Sequence, residues 1–307
     1  LADPACRLLT IIGLGGIGKT RLALQAAGAV QTFGHGVCFI PLSSVRSTDF
    51  LISAISDTLD FPLHGRGEPR AQLMNFLSDK ELLLVMDNFE HLLAGATLLT
   101  EILQRAPQVK ILVTSRERLN LQEEWVLDLQ GLPFPKGRGD SEIESYGAVQ
   151  LFLQRAQQAR ADFWLSYLDK RAIARICRLV EGLPLAIELA ATWTRTFSCQ
   201  DIAAEIEKNY NFLTTSLQNI PTRHRSLRAA FAHSWHLLSE KERCVYRKLS
   251  VFWGGFSRHS AEAVVGASAT TLSALVDKSL LRWTAPDRYE IHELLRQYGA
   301  EKLSKNP

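Results

Sequence analysis

Hydrophobic and polar positions follow two rhythms along this chain, and the change of rhythm divides it. In the first 135 residues, apolar runs of strand length alternate with stretches of helical spacing. The first run, 8–12, has β-branched character; it breaks into glycines at 13, 15, 16 and 18 and turns helical from about Lys19 to Gly28. Residues 36–42 form a second short strand, and helical patterns over 48–59 and 68–79 are parted by a loop, 61–69, rich in proline and glycine. The run 81–87 is continuously apolar and ends in Asp87, which suits a central parallel strand buried on both faces. A helix over 90–105, another buried strand over 109–116 and a further strand over 125–129 complete the alternation. Strands that alternate with helices predict an α/β fold with a parallel sheet.

Pro133, Pro135, Gly137 and Gly139 then read as a hinge-like linker, and beyond it the pattern turns helical. Ala148, Leu151, Phe152 and Ala156 share one helix face, as do Ile173, Ile176, Cys177 and Val180. Gly182-Leu-Pro-Leu-Ala186 interrupts the helices, with Pro184 placed to open the next one, and another helix covers 200–208. From about Pro221, Leu227, Phe231, Ser234 and Leu238 space as a helix face, and Ser239 with Glu242 forms a capping box. Short helices at 260–265 and 271–278 precede two strand-like pieces, 280–283 and 288–291, around an Ala-Pro-Asp turn. Three helices and a hairpin predict a winged helix, closed by a last helix whose buried stripe is Ile291, Leu294, Leu295 and Tyr298. The expected fold is therefore an α/β P-loop NTPase domain over 1–135, a small helical bundle over 136–217 and a winged-helix domain over 218–307.

The chemistry concentrates at the first strand–helix junction. Gly13–Thr20 satisfies G-x-x-x-x-G-K-[ST] in the required strand–loop–helix setting. The glycines let backbone N–H groups turn inward around phosphate oxygens, and the helix N-terminus adds a fixed partial positive charge. Lys19 can reach the β- and γ-phosphates and Thr20 can ligate Mg²⁺; Gly13, Gly15, Gly16, Ile17, Gly18 and Arg21 complete the expected nucleotide-facing set. Asp87, at the end of a buried strand, takes the place of a Walker B carboxylate for Mg²⁺. Glu90 is the one carboxylate in the tetrapeptide that follows, and either orients a water or sits as a first-turn acid favoured by the helix dipole. Arg116 ends the next strand at the same sheet edge, where it can face a γ-phosphate. His292 beside the last apolar stripe is either an exposed helix histidine or a ligand.

Composition changes this picture little. The chain has 307 residues, 46% hydrophobic and 22% charged, with ample core for two or three domains and no apolar stretch of membrane-spanning length. Five scattered cysteines without C-x-x-C spacing suit reduced thiols in a cytoplasmic protein. The absence of an initiator Met, and the position of the phosphate loop so near Leu1, suggest a fragment whose natural start lies upstream. The net charge of +3 divides unevenly, −3 over 1–135, zero over 136–217 and +6 over 218–307, so the last third is either a nucleic-acid face or a solvated surface.

Together these pieces resemble STAND-class NTPases of the AP-ATPase/NB-ARC branch. The resemblance rests on Gly13–Thr20, Leu83–Asp87, Val113–Arg116, Gly182-Leu-Pro184, the winged-helix stretch and Ile291-His-Glu293. The Asp-Asn-x-Glu-His form at 87–91 is most similar to bacterial members with tetratricopeptide sensors. The resemblance implies a signalling switch: ADP held in an autoinhibited monomer, and exchange for ATP with Mg²⁺ leading to self-association and slow hydrolysis. It implies that Pro184 packs on the adenine, that His292 donates to the ADP β-phosphate, and that Arg116 senses the γ-phosphate. It also implies an N-terminal effector and a C-terminal repeat sensor outside this chain. Three positions depart from the family pattern: Ile291 replaces Met, Glu293 replaces Asp, and Asn88 stands where a second acid is usual. A DNA-binding regulator acting through the winged helix and a continuously cycling ATPase remain the alternatives.

Overall fold

The computed structural model describes residues 1–30, 33–63, 67–137, 142–215, 221, 224–284 and 287–305. Gly139 of the expected linker, residues 64–66 of the 61–69 loop, the 217/218 boundary and the Ala285-Pro286 part of the turn lie outside the described residues. The chain forms two compact units, one of Leu1–Gly13 with Gly18–Leu129, the other of Leu14–Ile17 with Gln130–Pro307.

In the first unit β1 (Leu8–Ile12), α1 (Lys19–Ala29), β2 (Val37–Pro41), α2 (Leu51–Thr58), α3 (Pro69–Leu77), β3 (Leu83–Asp87), α4 (Thr97–Arg105), β4 (Lys110–Thr114) and β5 (Glu124–Asp128) follow in order. The strands form one sheet in the order β2-β3-β4-β1-β5, all parallel. The period-2 alternation of side chains decides what each face meets. Leu84, Met86, Ile111 and Val113 face Leu51, Ile55, Leu73, Leu77, Leu99 and Ile102 of α2, α3 and α4. Leu83, Val85, Leu112 and Ile11 face Ala23 and Ala27 of α1. The apolar run of β3 is buried at every position because both faces are covered.

One expected element starts late. Instead of a helix from residue 90, two 3₁₀ turns, Phe89–His91 and Leu93–Gly95, precede α4. Asn88 is left-handed, with φ 69°, and turns the chain sharply after β3. Phe89 and Leu92, both fully buried, then draw the turns onto the core. Glu90 is consequently not in the first turn of an α-helix.

The second unit carries α5 (Gly147–Ala159), α6 (Tyr167–Leu179), α7 (Pro184–Thr192) and α8 (Cys199–Lys208), with α5 packed on α7 and α6 on α8. The Arg155 Nη2 to Glu188 Oε1 pair, 2.7 Å, ties α5 to α7. A capping box of Ser166 and Asp169 opens α6. Between α6 and α7 the chain reverses through Glu181 and Gly182, at φ 46° and 69°. Leu132 N–H donates to the Gly182 carbonyl at 2.9 Å, and a Cβ on Gly182 would run into the Leu132 carbonyl oxygen. Only glycine fits there.

The chain continues through α9 (Leu227–His236), α10 (Glu240–Leu249), β6 (Phe256–Ser257), α11 (Arg258–Val265), α12 (Ala269–Asp277), β7 (Arg282–Thr284), β8 (Arg288–Glu290) and α13 (Glu293–Lys305). The Ser239–Glu242 capping box is present on α10. The antiparallel sheet has three strands in the order β6-β8-β7; the two-residue β6 is too short to leave a periodic signal. Tyr210, Phe231, Trp235, Tyr246 and Tyr298 form an edge-packed aromatic core, and Tyr246 Oη donates to the Leu295 carbonyl at 2.8 Å. Among the described residues no helix is long and apolar enough to cross a membrane.

Candidate functional site

Because the strands of the first unit run parallel, their C-terminal ends gather at one edge, and Gly13, Asp87 and Thr114 lie there. Lys19 opens α1, and its Nζ folds back to donate to the Gly13 carbonyl at 2.7 Å. The first turn of α1 holds no acid, and Gly18 supplies no side-chain cap. Its opening amides therefore have no side-chain cap to compete with an anion. Thr20 Oγ1 donates to Asp87 Oδ1 at 2.7 Å, and Thr114 Oγ1 donates to the same oxygen at 2.6 Å. Thr114 in turn accepts the Asn88 N–H at 2.9 Å. The two hydroxyls fix the rotation of a carboxylate that is only 6% exposed. Sequence reasoning singled out Lys19, Thr20 and Asp87 but not Thr114, whose only signal is a hydroxyl ending an apolar strand.

Arg116 and Glu90 meet in the same unit. Arg116 Nε donates to Glu90 Oε1 at 3.1 Å, with both side chains buried. Glu90 lies in the first turn of the short 3₁₀ helix Phe89–His91, where its buried carboxylate also pairs with Arg116. Arg21 is exposed on α1.

The tip of the phosphate loop, Leu14–Ile17, belongs to the second unit. Ile17 N–H closes a turn on the Leu14 carbonyl at 3.2 Å, while Leu185 N–H, one residue into α7, donates to the Gly16 carbonyl at 3.1 Å. Gly16 has φ 84°, and a Cβ there would stand 2.6 Å from Leu185 Cβ. Gly15 and Ile17 are buried, and Pro184 is half-buried at the first position of α7.

His292 is not the exposed helix histidine that the spacing allowed. It precedes α13 and is 3% exposed. Its Nδ1 accepts the Leu294 N–H at 3.2 Å, which leaves the ring proton on Nε2. Burial pushes the imidazole below its ordinary pKa, and Glu181, with a carboxylate oxygen 3.9 Å from Nδ1, opposes that shift in part. The ring is thus neutral, and a hydrogen bond to the Val180 backbone acts with Glu181 against the shift; the buried Nε2 has no partner of full hydrogen-bond geometry. A buried ring nitrogen without a well-formed bond suits the acceptor oxygen of a ligand. Among the described residues no three His, Cys, Asp or Glu side chains cluster to hold a metal ion. Thr20 and Asp87 are the side chains that would hold a Mg²⁺, which would offset phosphate charge there.

A phosphate loop between the first strand and first helix of a parallel five-stranded sheet, with an acid ending β3 one strand beyond β1's neighbour β4, defines the P-loop NTPase fold. The Aeropyrum pernix ORC2 protein, solved in ADPNP–ADP complexes, matches with a TM-score of 0.50 at 16% identity, over 97% of this chain and 86% of that one. No family model matches the chain. "Putative HTH-type transcriptional regulator Rv0890c" of Mycobacterium tuberculosis is 33% identical over 310 residues, 97% of this chain but 34% of that protein. The chain thus spans about a third of that relative's length. The uncharacterized protein Rv0894 of Mycobacterium tuberculosis is 32% identical over 318 residues, 98% of this chain and 77% of that protein. The chain belongs to the same family as Rv0894.

Proposed function

We propose that this chain is the nucleotide-operated core of a signal-transduction switch of the STAND class, NB-ARC branch. ADP holds its resting monomer, and ATP with Mg²⁺ promotes self-association. In this reading 1–135 binds the phosphates, 136–217 is a helical relay and 218–307 a winged helix. The observation that carries it is the hydrogen bond from Leu185 to Gly16, which joins the tip of the phosphate loop to the helix that Pro184 begins. A ligand lodged in that loop has the first turn of α7 beside it. Lys19 and the α1 amides would hold the β-phosphate, Thr20 and Asp87 would hold Mg²⁺, and Pro184 would pack on the adenine. His292 would donate through Nε2, which has no partner of full hydrogen-bond geometry, to the β-phosphate. Arg116 would read the γ-phosphate, and Glu90, committed to Arg116, is poorly placed to orient water, which supports slow hydrolysis.

The name of the relative Rv0890c favours a second reading, an ATP-dependent transcription regulator that binds DNA through the winged helix. Against it, α12, the last helix before the β7–β8 strands, contains no Lys or Arg and ends in Asp277. That is a poor surface for phosphates or base edges.

Denaturing the purified protein and identifying the released nucleotide tests the switch reading. Stoichiometric ADP is the expected result, and Lys19→Ala should emerge empty. A wild-type protein that holds no nucleotide and turns over ATP continuously would overturn the switch in favour of a cycling ATPase.

A further inference from the structure

The reversal between α6 and α7 places Glu181 in the left-handed region, at φ 46°. That conformation suits glycine or asparagine and strains a side chain with a Cβ and a long arm. The carboxylate accounts for a glutamate there. Its Oε1 accepts the backbone N–H of Glu293, the first residue of α13, at 2.8 Å. The same oxygen lies 3.9 Å from His292 Nδ1, and Oε2 lies 3.6 Å from Arg282 Nη1 on β7. Glu293 cannot cap α13 in its place, because its own carboxylate is turned into the helix toward Arg296 and Gln297. Three partners more than a hundred residues further along the chain thus converge on one side chain.

We propose that Glu181 is a positioning residue that fastens the start of α13, and His292 with it, to the turn leading into Pro184. What it positions rests on the nucleotide-switch reading; the fastening does not. Pro184 stands three residues beyond Glu181, and His292 is adjacent to the amide that Glu181 holds. Both proposed nucleotide contacts therefore hang from one carboxylate. A ligand that engages His292 pulls on the α6–α7 turn, and release of the turn frees the ring.

The test is hydrogen exchange on the full chain, together with dissociation rates of ADP and ATP, for wild type, Glu181→Ala, Glu181→Gln and Glu181→Gly. In Glu181→Ala the amides of 292–296 should exchange about tenfold faster, in line with the loss of a helix cap. ADP should leave about tenfold faster, with ATP dissociation nearly unchanged. Glu181→Gln, whose amide oxygen still accepts from Glu293, should lie between alanine and wild type. Glu181→Gly relieves the backbone but should behave as alanine does. Unaltered exchange at 292–296 in Glu181→Ala overturns the fastening whether or not nucleotide binds. Equal acceleration of ADP and ATP, or a glycine variant as tight as wild type, reduces Glu181 to a turn residue. A wild type that binds neither nucleotide sinks the switch reading alone, since the exchange data still decide the fastening.

Discussion

At the scale of single residues, the buried pair of Glu90 and Arg116 governs how the sheet edge can respond. Two ions taken out of water are stable only while each answers the other, because desolvation offsets most of their attraction. Deleting one partner removes a charge that balances the other. Glu90→Ala should cost about 3–5 kcal/mol of unfolding free energy, read from urea midpoints, whereas Glu90→Leu with Arg116→Met should recover most of it. Equal losses in the single and double variants would show that the two charges are not coupled. Neither this pair nor the Thr114 bond to Asp87 was legible along the chain. Arg116 follows Glu90 by 26 positions, and only the register of β3 beside β4 brings them together. Lys19, Thr20 and Asp87 were legible because phosphate-loop spacing and a strand-ending acid are local signals. His292 was ambiguous because adjacency to an apolar stripe leaves open which side of the helix start the ring occupies.

At the scale of elements, the buried strands and capped helices were readable while the irregular joints were not. Apolar runs mark β1, β3 and β4, and the Ser239–Glu242 box marks α10. The 3₁₀ turns after Asp87 escaped because a left-handed asparagine has no periodic signature, and β6 because two residues cannot show one. The α6–α7 reversal is the joint with least tolerance. Gly182→Ala combines a positive φ with a collision against the Leu132 carbonyl, so it should destabilise by about 3 kcal/mol or more. Chemical denaturation measures this directly, and a loss below about 1 kcal/mol would mean that the 130–132 segment simply yields.

At the scale of the whole molecule, the uneven charge changes meaning once partners are known. Lys278 pairs with Glu242, Arg282 with Glu181, Arg296 with Glu293, and both Arg228 and Lys305 with Glu301. Five of the fourteen Lys and Arg side chains of the last third are held in these pairs and are less available to phosphates, so duplex DNA should bind weakly. Fluorescence anisotropy across salt should give a shallow slope, equivalent to about two phosphate contacts or fewer. A slope near −5 or steeper would restore the DNA-binding regulator. The division of the chain has one more consequence. Residues 14–17 pack with a unit whose remaining chain begins at Gln130, so no single cut yields both halves intact. A fragment starting at Gln130 leaves the seat beside Leu185 bare and exposes apolar surface that invites aggregation. Supplying Leu14–Ile17 in trans, within a peptide that spans the loop, should rescue it, which makes this protein a natural candidate for split-fragment complementation.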